Sequence, residues 1–484
     1  MPLILPGNVG SATAATTYSI ANSCRFDAAS SSKMSKAVST SGSNTKFTIS
    51  FWMKPSKYNA YQRLFWGGVG SGNETGITLY AQGRDDASDA VLSVYLLGSS
   101  SARSWLTERA FRDYSSWYHI FVRVDTTDST AADRIQLYVN GVRETDFSES
   151  SNPGENETFD LFHSNNLTIG MEQDSGDRFP YNGYLAEFVV LDGTAAAVTD
   201  LGEFDEDSPN IWKPKDPSGL SFGTSGFWLD FEASDNLGND ANGGTDLTET
   251  NIAATDQSVD TPTNNACTLN SLAVATSSAL AFSEGNNKIY HSGSGWRPAF
   301  GTFPVSSGKW YFEVKGLLFP GTSYMQIGWV SLEYTGNGNS ALTDEISGWG
   351  NTDPAVVYDS RAGNIYYQFV TSNSNDTSYG DSYTAGDVIG VALDLDNSKI
   401  YFAEDNTWKN SGDPTSGATG TGAHSILSGY TWVPFIGLNN ATAEATFASP
   451  VQANSSDAQD GNGYGQFEFA PPSGYLALCS KNTA

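Results

Sequence analysis

The sequence predicts an all-β protein of two tandem antiparallel β-sandwiches. Three observations carry this. Short runs alternate apolar and polar residues with period two, as half-buried strands do. Turn residues (Gly, Asn, Asp, Ser) recur between the runs at the spacing of sandwich folds. No segment carries a sustained apolar stripe at helical spacing. The chain has 484 residues, enough for two or three domains, and 13% of them are aromatic, enough for sizeable cores.

The elements follow in order. Residues 1–22 are small, almost uncharged and rich in Gly, Ala and Thr, and are expected to form an arm docked on a partner or mobile. Residues 23–247 form the first sandwich. Its strands include Phe47–Met53, Val91–Leu96, the nearly continuous apolar run Trp117–Val124, and Ile135–Val139. Asn140-Gly141 follows the last of these. Both residues tolerate positive φ, so a tight type I′ hairpin is expected there. Leu167–Gly170 and Tyr184–Val190 are later strands, and a short helical turn is expected near Thr194–Leu201. Phe227–Asp230 begins as a strand and becomes a polar loop. Residues 248–265, polar and closed by Thr261-Pro262-Thr263, are expected to be the linker. Residues 266–484 form the second sandwich, with strands at Lys309–Val314, Met325–Val330, Val388–Leu395, Lys399–Phe402 and Trp432–Gly437. Asp396-Asn397-Ser398 joins two of these as a hairpin.

The net charge of −29 repels phosphate backbones and anionic lipid, which argues against nucleic-acid and membrane-surface partners. No apolar run reaches the roughly 18 residues of a transmembrane helix. Residues 1–19 lack the basic start and apolar core of a signal peptide, so synthesis in a cytoplasm is expected. Cys24, Cys267 and Cys479 are odd in number and far apart, with no metal-ligand spacing. Three reduced thiols are expected, with a Cys267–Cys479 bridge as the alternative.

The first half resembles the LamG-like, concanavalin A-like jelly-roll family. The resemblance lies in KFTISFWMKP (Lys46–Pro55), SSWYHIFVRVD (Ser115–Asp125), IQLYVNGVRE (Ile135–Glu144), LTIGMEQD (Leu167–Asp174) and YNGYLAEFVVLDGT (Tyr181–Thr194). In many members a strand with a loop of the D-x-S-G-x-G-N type precedes the first of these. Here the matching piece, FWLDFEASDNLGNDANGG, comes after them, which implies a permuted strand returning to the first sandwich. The second half resembles SPRY domains through GKWYFEV (Gly308–Val314), QIGWV (Gln326–Val330), GDVIGVALDLDNSKIYF (Gly386–Phe402) and VPFIGL (Val433–Leu438). The junction, with NLGNDANG and then TDQSVDTPTNN, is similar to that of tailed-phage virion proteins. The resemblance implies a virion structural protein, a tail or head fibre or a decoration component. It also implies a homo-oligomer that meets other virion proteins through the arm and host-surface glycans through its sandwiches.

Candidate sites follow from chemistry. A sugar's C–H face needs an aromatic platform with polar groups beside it. Tyr61, Trp105 and Tyr181 in the first domain, and Trp349, Arg361 and Trp408 in the second, are the glycan-binding candidates. Tyr58, Trp296, Tyr334 and Tyr358 stand behind them. Hard oxygen donors suit calcium, and Asp235, Asn239 and Asp240 either hold such an ion or form Asx turns. Gln173, Asp174 and Asp177 are a second acidic rim. A glycan depolymerase needs paired carboxylates, for which Glu203 and Asp205 are the nearest string. They read as an acidic loop, and no catalytic residues are assigned. His119, within an apolar strand, is expected to be a hydrogen-bonded structural residue, and the glycine-rich run at 67–72 a turn.

Overall fold

The computed structural model describes residues 18–38, 42–57, 61–67, 75–81, 90–97, 102–159, 161–162, 166–174, 176–273, 280–333, 353–369, 372–452 and 454–483. Within them the chain is nearly all β, and it divides into two units between Asn265 and Ala266.

In the first unit two antiparallel sheets face each other. One runs in the order Val142–Arg143, Ile135–Val139, Tyr118–Asp125, Lys46–Pro55, Gly183–Asp192, Ser23–Phe26 and Gln257–Ser258, with Phe227–Leu229 also on Gly183–Asp192. The other runs Phe147–Ser150, Ala102–Ala110, Ala90–Leu97, Thr75–Ala81, Tyr61–Gly67, Asn166–Ile169, Lys33–Ala37 and Thr248–Thr250. Period-two alternation sends Phe47, Ile49, Phe51 and Met53 into the space between the sheets, where Phe51 stacks on Phe188 at 4.8 Å. The expected hairpin is present: Val139 pairs with Val142 across Asn140 (φ 48°) and Gly141 (φ 75°). Gly141 is required twice over, because a Cβ there would meet the Trp212 ring at 2.2 Å.

The first sheet is buried on its other face as well. Trp52, Trp117, Tyr184, Ala186 and Trp212 pack there with Ile20, and Phe121, Val189 and Leu191 pack with Ala196, Leu201 and Phe222. The cover therefore includes residues 196–222, which hold a 3-10 turn at Val198–Asp200. His119 lies under it: Trp212 Nε1 donates to its Nδ1 at 2.9 Å, so the ring proton is on Nε2, 2.8 Å from Ser50 Oγ. Burial pulls the His119 pKa down to about 3 and keeps the ring neutral.

Residues 248–265 depart from the linker expectation. Thr248–Thr250 pairs with Lys33–Ala37, and Gln257–Ser258 pairs with Ser23–Phe26. The cause is electrostatic. Arg25, Lys36 and Lys54 are buried on the early strands, and residues 240–265 bring their counter-ions, two of them from within 248–265. Lys36 meets Asp240 at 3.2 Å, Arg25 meets Asp256 at 3.4 Å and the Thr255 carbonyl at 2.7 Å, and Lys54 meets Asp260 at 2.7 Å and Asn265 Oδ1 at 2.8 Å. Trp117 Nε1 donates to the second oxygen of Asp260. The end of the expected arm is docked too, since Thr263 Oγ1 donates to the Ile20 carbonyl.

The second unit repeats the two-sheet plan. One sheet has the order Ala281–Ser283, Lys288–Tyr290, Thr442–Thr446, Lys309–Leu318, Val388–Asp394, Lys399–Glu404 and Thr407–Trp408. The other has the order Arg297–Phe300, Trp432–Asn439, Tyr324–Ser331, Ala355–Asp359, Ile365–Phe369 and Ser372–Asp376. Phe312, Trp329 and Phe447 meet between them. The Asp396–Ser398 hairpin forms with Asp394 opposite Lys399. Cys24, Cys267 and Cys479 are buried free thiols, and the last two lie in different clusters, so the alternative bridge does not form.

Asp260→Ala strands a buried ammonium and is expected to cost about 3–5 kcal/mol in urea unfolding, while the double variant Lys54→Met/Asp260→Leu costs clearly less. Equal losses would contradict a buried ion pair at this position. Glu187, on a bulge of Gly183–Asp192 at φ 47°, has its pKa pushed up to about 8, chiefly by burial. Tyr18 donates a hydrogen bond that opposes the rise, and Asp230 adds to it. The folded chain thus holds this proton more tightly than the unfolded chain, whose carboxyl titrates near 4.5. Stability should fall as pH rises from 4.5 to 8, by up to about 1.4 kcal/mol per pH unit for this group. Glu187→Gln should flatten that slope in denaturant titrations at pH 5, 6.5 and 8.

Candidate functional site

The strands Tyr324–Ser331, Ala355–Asp359 and Ile365–Phe369 are neighbours in the second unit, and their register decides what shares a face. Gln326 lies opposite Asp359, and Tyr366 opposite Val357, two residues from Asp359. Tyr324, two residues before Gln326, therefore stands on the same side as Asp359 and Tyr366. The turn after Asp359 returns Arg361 over this side. Its backbone N–H and Nε donate to Asp359 Oδ1 at 2.9 Å, and its Nη2 to Oδ2 at 2.7 Å. Gln326 Nε2 donates to Oδ2 at 2.9 Å.

The Arg361 guanidinium is thus fixed by a fork on a carboxylate that is 1% exposed, while its own side chain is 29% exposed. Three rings surround it: Trp296 and Tyr324 at 5.4 Å and Tyr366 at 5.5 Å. Trp296 is mostly buried, and the two tyrosines are partly exposed. Burial pushes the Asp359 carboxyl up to about 6, against the Arg361 N–H and Gln326, so it is ionised at neutral pH. The pair is then close to neutral. The cluster thus joins three aromatic rings to a guanidinium whose charge Asp359 offsets.

The other expected residues fare differently. Trp105 and Tyr181 are corrected: both are in the first core, at 4% and 0% exposure, Trp105 from the strand Ala102–Ala110 and Tyr181 from the connection that leads into Gly183–Asp192. Trp408 is partly buried against the cluster of Tyr311, Phe467 and Tyr475. Tyr61 is partly exposed beside Phe179. Tyr358 is a core residue that stacks on Phe402. Trp349, Tyr58, Tyr334 and the run 68–72 lie outside the described residues. The calcium set does not converge. Asp240 already has Lys36 as its cation and accepts the N–H groups of Trp228 and Asn242 in an Asx-type turn, while Asp235 is exposed. Among the described residues no group of three or more His, Cys, Asp or Glu side chains could hold a metal ion. Asp177 pairs with Lys33. Asp205 is buried and bound by Lys213 and by the N–H groups of Asp207 and Ser208. These bonds outweigh burial and hold its carboxyl below the usual range, which does not suit a general acid. Glu203 lies 3.9 Å from Lys215.

Sequence reasoning found Arg361 and Trp296 but missed Tyr324, Tyr366, Asp359 and Gln326. The signal was the D-x-R spacing Asp359–Arg361 together with aromatics at the starts of flanking strands.

The comparisons with known proteins agree with the two-unit division. Residues 27–197 match the family described as the concanavalin A-like lectin/glucanases superfamily, and residues 309–449 match the SPRY domain. The chain carries a LamG/concanavalin A-like domain followed by a SPRY domain. The first match stops before Phe227–Leu229, the strand that returns to the first sandwich. A curated relative is an E3 ubiquitin-protein ligase, RKP, of Arabidopsis thaliana, 30% identical over 135 residues, which is 28% of this chain and 9% of that protein. The chain thus spans less than a tenth of that relative's length. Among solved structures, the SPRY domain of human HERC1 is similar at 14% identity and TM-score 0.25, over 35% of this chain and 91% of that one. The heptameric SAP-like pentraxin of Limulus polyphemus is similar at 16% identity and TM-score 0.28, over 38% and 82%.

The Asp240 geometry makes a simple prediction. Millimolar chelator should leave the thermal midpoint unchanged, whereas Asp240→Ala, which strands Lys36, should cost about 3–5 kcal/mol. A midpoint that drops in chelator and recovers with calcium would restore the ion.

Proposed function

We propose that the chain is a non-catalytic carbohydrate-binding protein of a virion. It is a tail or head fibre or a decoration component that attaches the particle to host-surface glycans. The observation that carries the binding role is the Arg361 surface. A pyranose presents an apolar C–H face and a rim of hydroxyls. Tyr324 and Tyr366 supply the stacking faces, and Arg361 supplies donors held rigid by Asp359. Because Asp359 neutralises Arg361, the surface suits neutral sugars rather than phosphate groups. The concanavalin A-like domain supports a carbohydrate ligand at the level of fold.

Virion placement rests on the likeness of the junction to tailed-phage proteins. On this reading the protein is made in the host cytoplasm and assembles as a homo-oligomer. It meets other virion proteins through residues 1–22. The absence of turnover is supported by Asp205, whose carboxylate serves Lys213 and a turn.

A glycan array of host polysaccharides tests the role. Neutral hexose glycans should bind, and the double variant Tyr324→Ala/Tyr366→Ala should weaken binding about tenfold, some 1.4 kcal/mol, with its thermal midpoint little changed, whereas Arg361→Gln should weaken binding and also lower the midpoint because it strands the buried Asp359 carboxylate. Flat binding across the array would leave a purely structural decoration protein, and shortened glycan products would establish a depolymerase.

A further inference from the structure

The contacts of Lys54 go beyond those of an ion pair. Lys54 lies opposite Tyr184 in the sheet register, on the outer face that also carries Trp52. Its side chain is 1% exposed and that of Asp260 is 3% exposed. Reciprocal backbone hydrogen bonds between Thr261 and Asn264, 3.2 and 3.0 Å long, close a turn after Asp260. That turn brings Asp260 and Asn265, which flank it, to the same lysine. Lys54 Nζ donates to Asp260 Oδ2 at 2.7 Å and to Asn265 Oδ1 at 2.8 Å.

Both partners are held from their far sides. Trp117 Nε1 donates to Asp260 Oδ1 at 3.0 Å. Asn265 Nδ2 donates to the Ser115 carbonyl at 2.8 Å, which turns the amide oxygen toward the lysine. Trp52, Trp117 and Tyr184 pack together on this face, with Lys54 Nζ 6.0 Å from the Tyr184 ring centre. A primary amine, a primary amide and a carboxyl group therefore meet beside aromatic walls, with the lysine nitrogen shielded from water. A salt bridge needs only the first and the last of these. The amide adds an electrophile within reach of a nucleophile whose proton acceptor is already in place.

We infer that Lys54 and Asn265 join in an autocatalytic isopeptide bond, with Asp260 carrying the protons. One proton passes along the 2.7 Å hydrogen bond from the Lys54 ammonium to Asp260, which frees the lysine lone pair. The amide carbon lies one C=O bond, about 1.2 Å, beyond the oxygen that Lys54 already touches, so rotation of the lysine end brings the two together. The Nζ–Cγ bond forms as the C=O π pair moves onto Oδ1. Asp260 then protonates Nδ2, the Cγ–Nδ2 bond breaks as the oxygen pair returns, and ammonia leaves. The second proton shed by Nζ goes to the Asp260 carboxylate. The products are a neutral secondary amide, a neutral Asp260 and one ammonia, and nothing is oxidised or reduced.

The bond closes a loop between positions 211 apart and so restricts the unfolded chain, as a long-range disulfide does. It also fastens the last residue of the first unit to the strand Lys46–Pro55. Tension applied between residues before Lys54 and residues after Asn265 then runs through the bond and bypasses residues 55–264. This modification stands apart from the carbohydrate reading and holds whether or not a glycan binds.

Whole-chain mass spectrometry of the purified full chain is the test. The mass should lie one ammonia below that of the sequence, and a digest should yield a branched peptide joining Lys54 to Asn265. In a denaturing gel the wild-type chain should run ahead of Lys54→Arg, which keeps a cation at this place and should carry the full mass. Asn265→Ala should carry the full mass as well. The wild-type mass and the branched peptide do not depend on either variant folding. A wild-type chain at full mass, a loss of ammonia that persists in Lys54→Arg, or a loss of water with Lys54 joined to Asp260 would overturn the bond.

Discussion

The first domain depends on the pairing of three cations buried early in the chain with three carboxylates that arrive some 200 residues later. Arg25, Lys36 and Lys54 sit on strands that otherwise read as core. A buried ammonium without a counter-ion costs several kcal/mol, so these strands are not stable on their own. Asp256, Asp240 and Asp260 remove that cost, and in doing so they draw residues 227–265 onto both sheets. A polar segment with little apolar surface to bury is thereby made part of the fold. The same pairing explains why the unit ends at Asn265: Lys54 binds that residue's side-chain oxygen as well as Asp260.

The second consequence concerns surfaces. Once the first sheet is covered on both faces, Trp52, Trp117, Tyr184 and Trp212 become interior residues. The aromatic wealth of the first domain is then mostly packing. Among the described residues, Tyr61 and Phe179 stay partly exposed at the rim, packed against each other. In the second domain the Arg361 surface stays partly exposed because a buried carboxylate, rather than an apolar cover, fixes its central residue.

Much of this was legible in the sequence, and what was not has a physical reason. Asn140-Gly141 and Asp396–Ser398 were readable because a tight hairpin demands particular φ values of particular residue types. Strand identity was readable from alternation. Alternation tells which residues share a face, however, and not which faces another segment covers, so Trp105 and Tyr181 read as platforms although they are core. The role of residues 248–265 was hidden for a related reason. Their strands are two or three residues long, and the force that holds them is the pair of ion pairs Arg25–Asp256 and Lys54–Asp260, each spanning more than 200 positions, which no local pattern records. Around Arg361 the arginine was readable, but Gln326 supports Asp359 across 33 residues through sheet register.

At Arg361 one buried carboxylate serves one guanidinium through a full fork. Against a background of −29 that pair neither attracts nor repels a neutral sugar, so on the proposed reading shape and stacking decide the affinity.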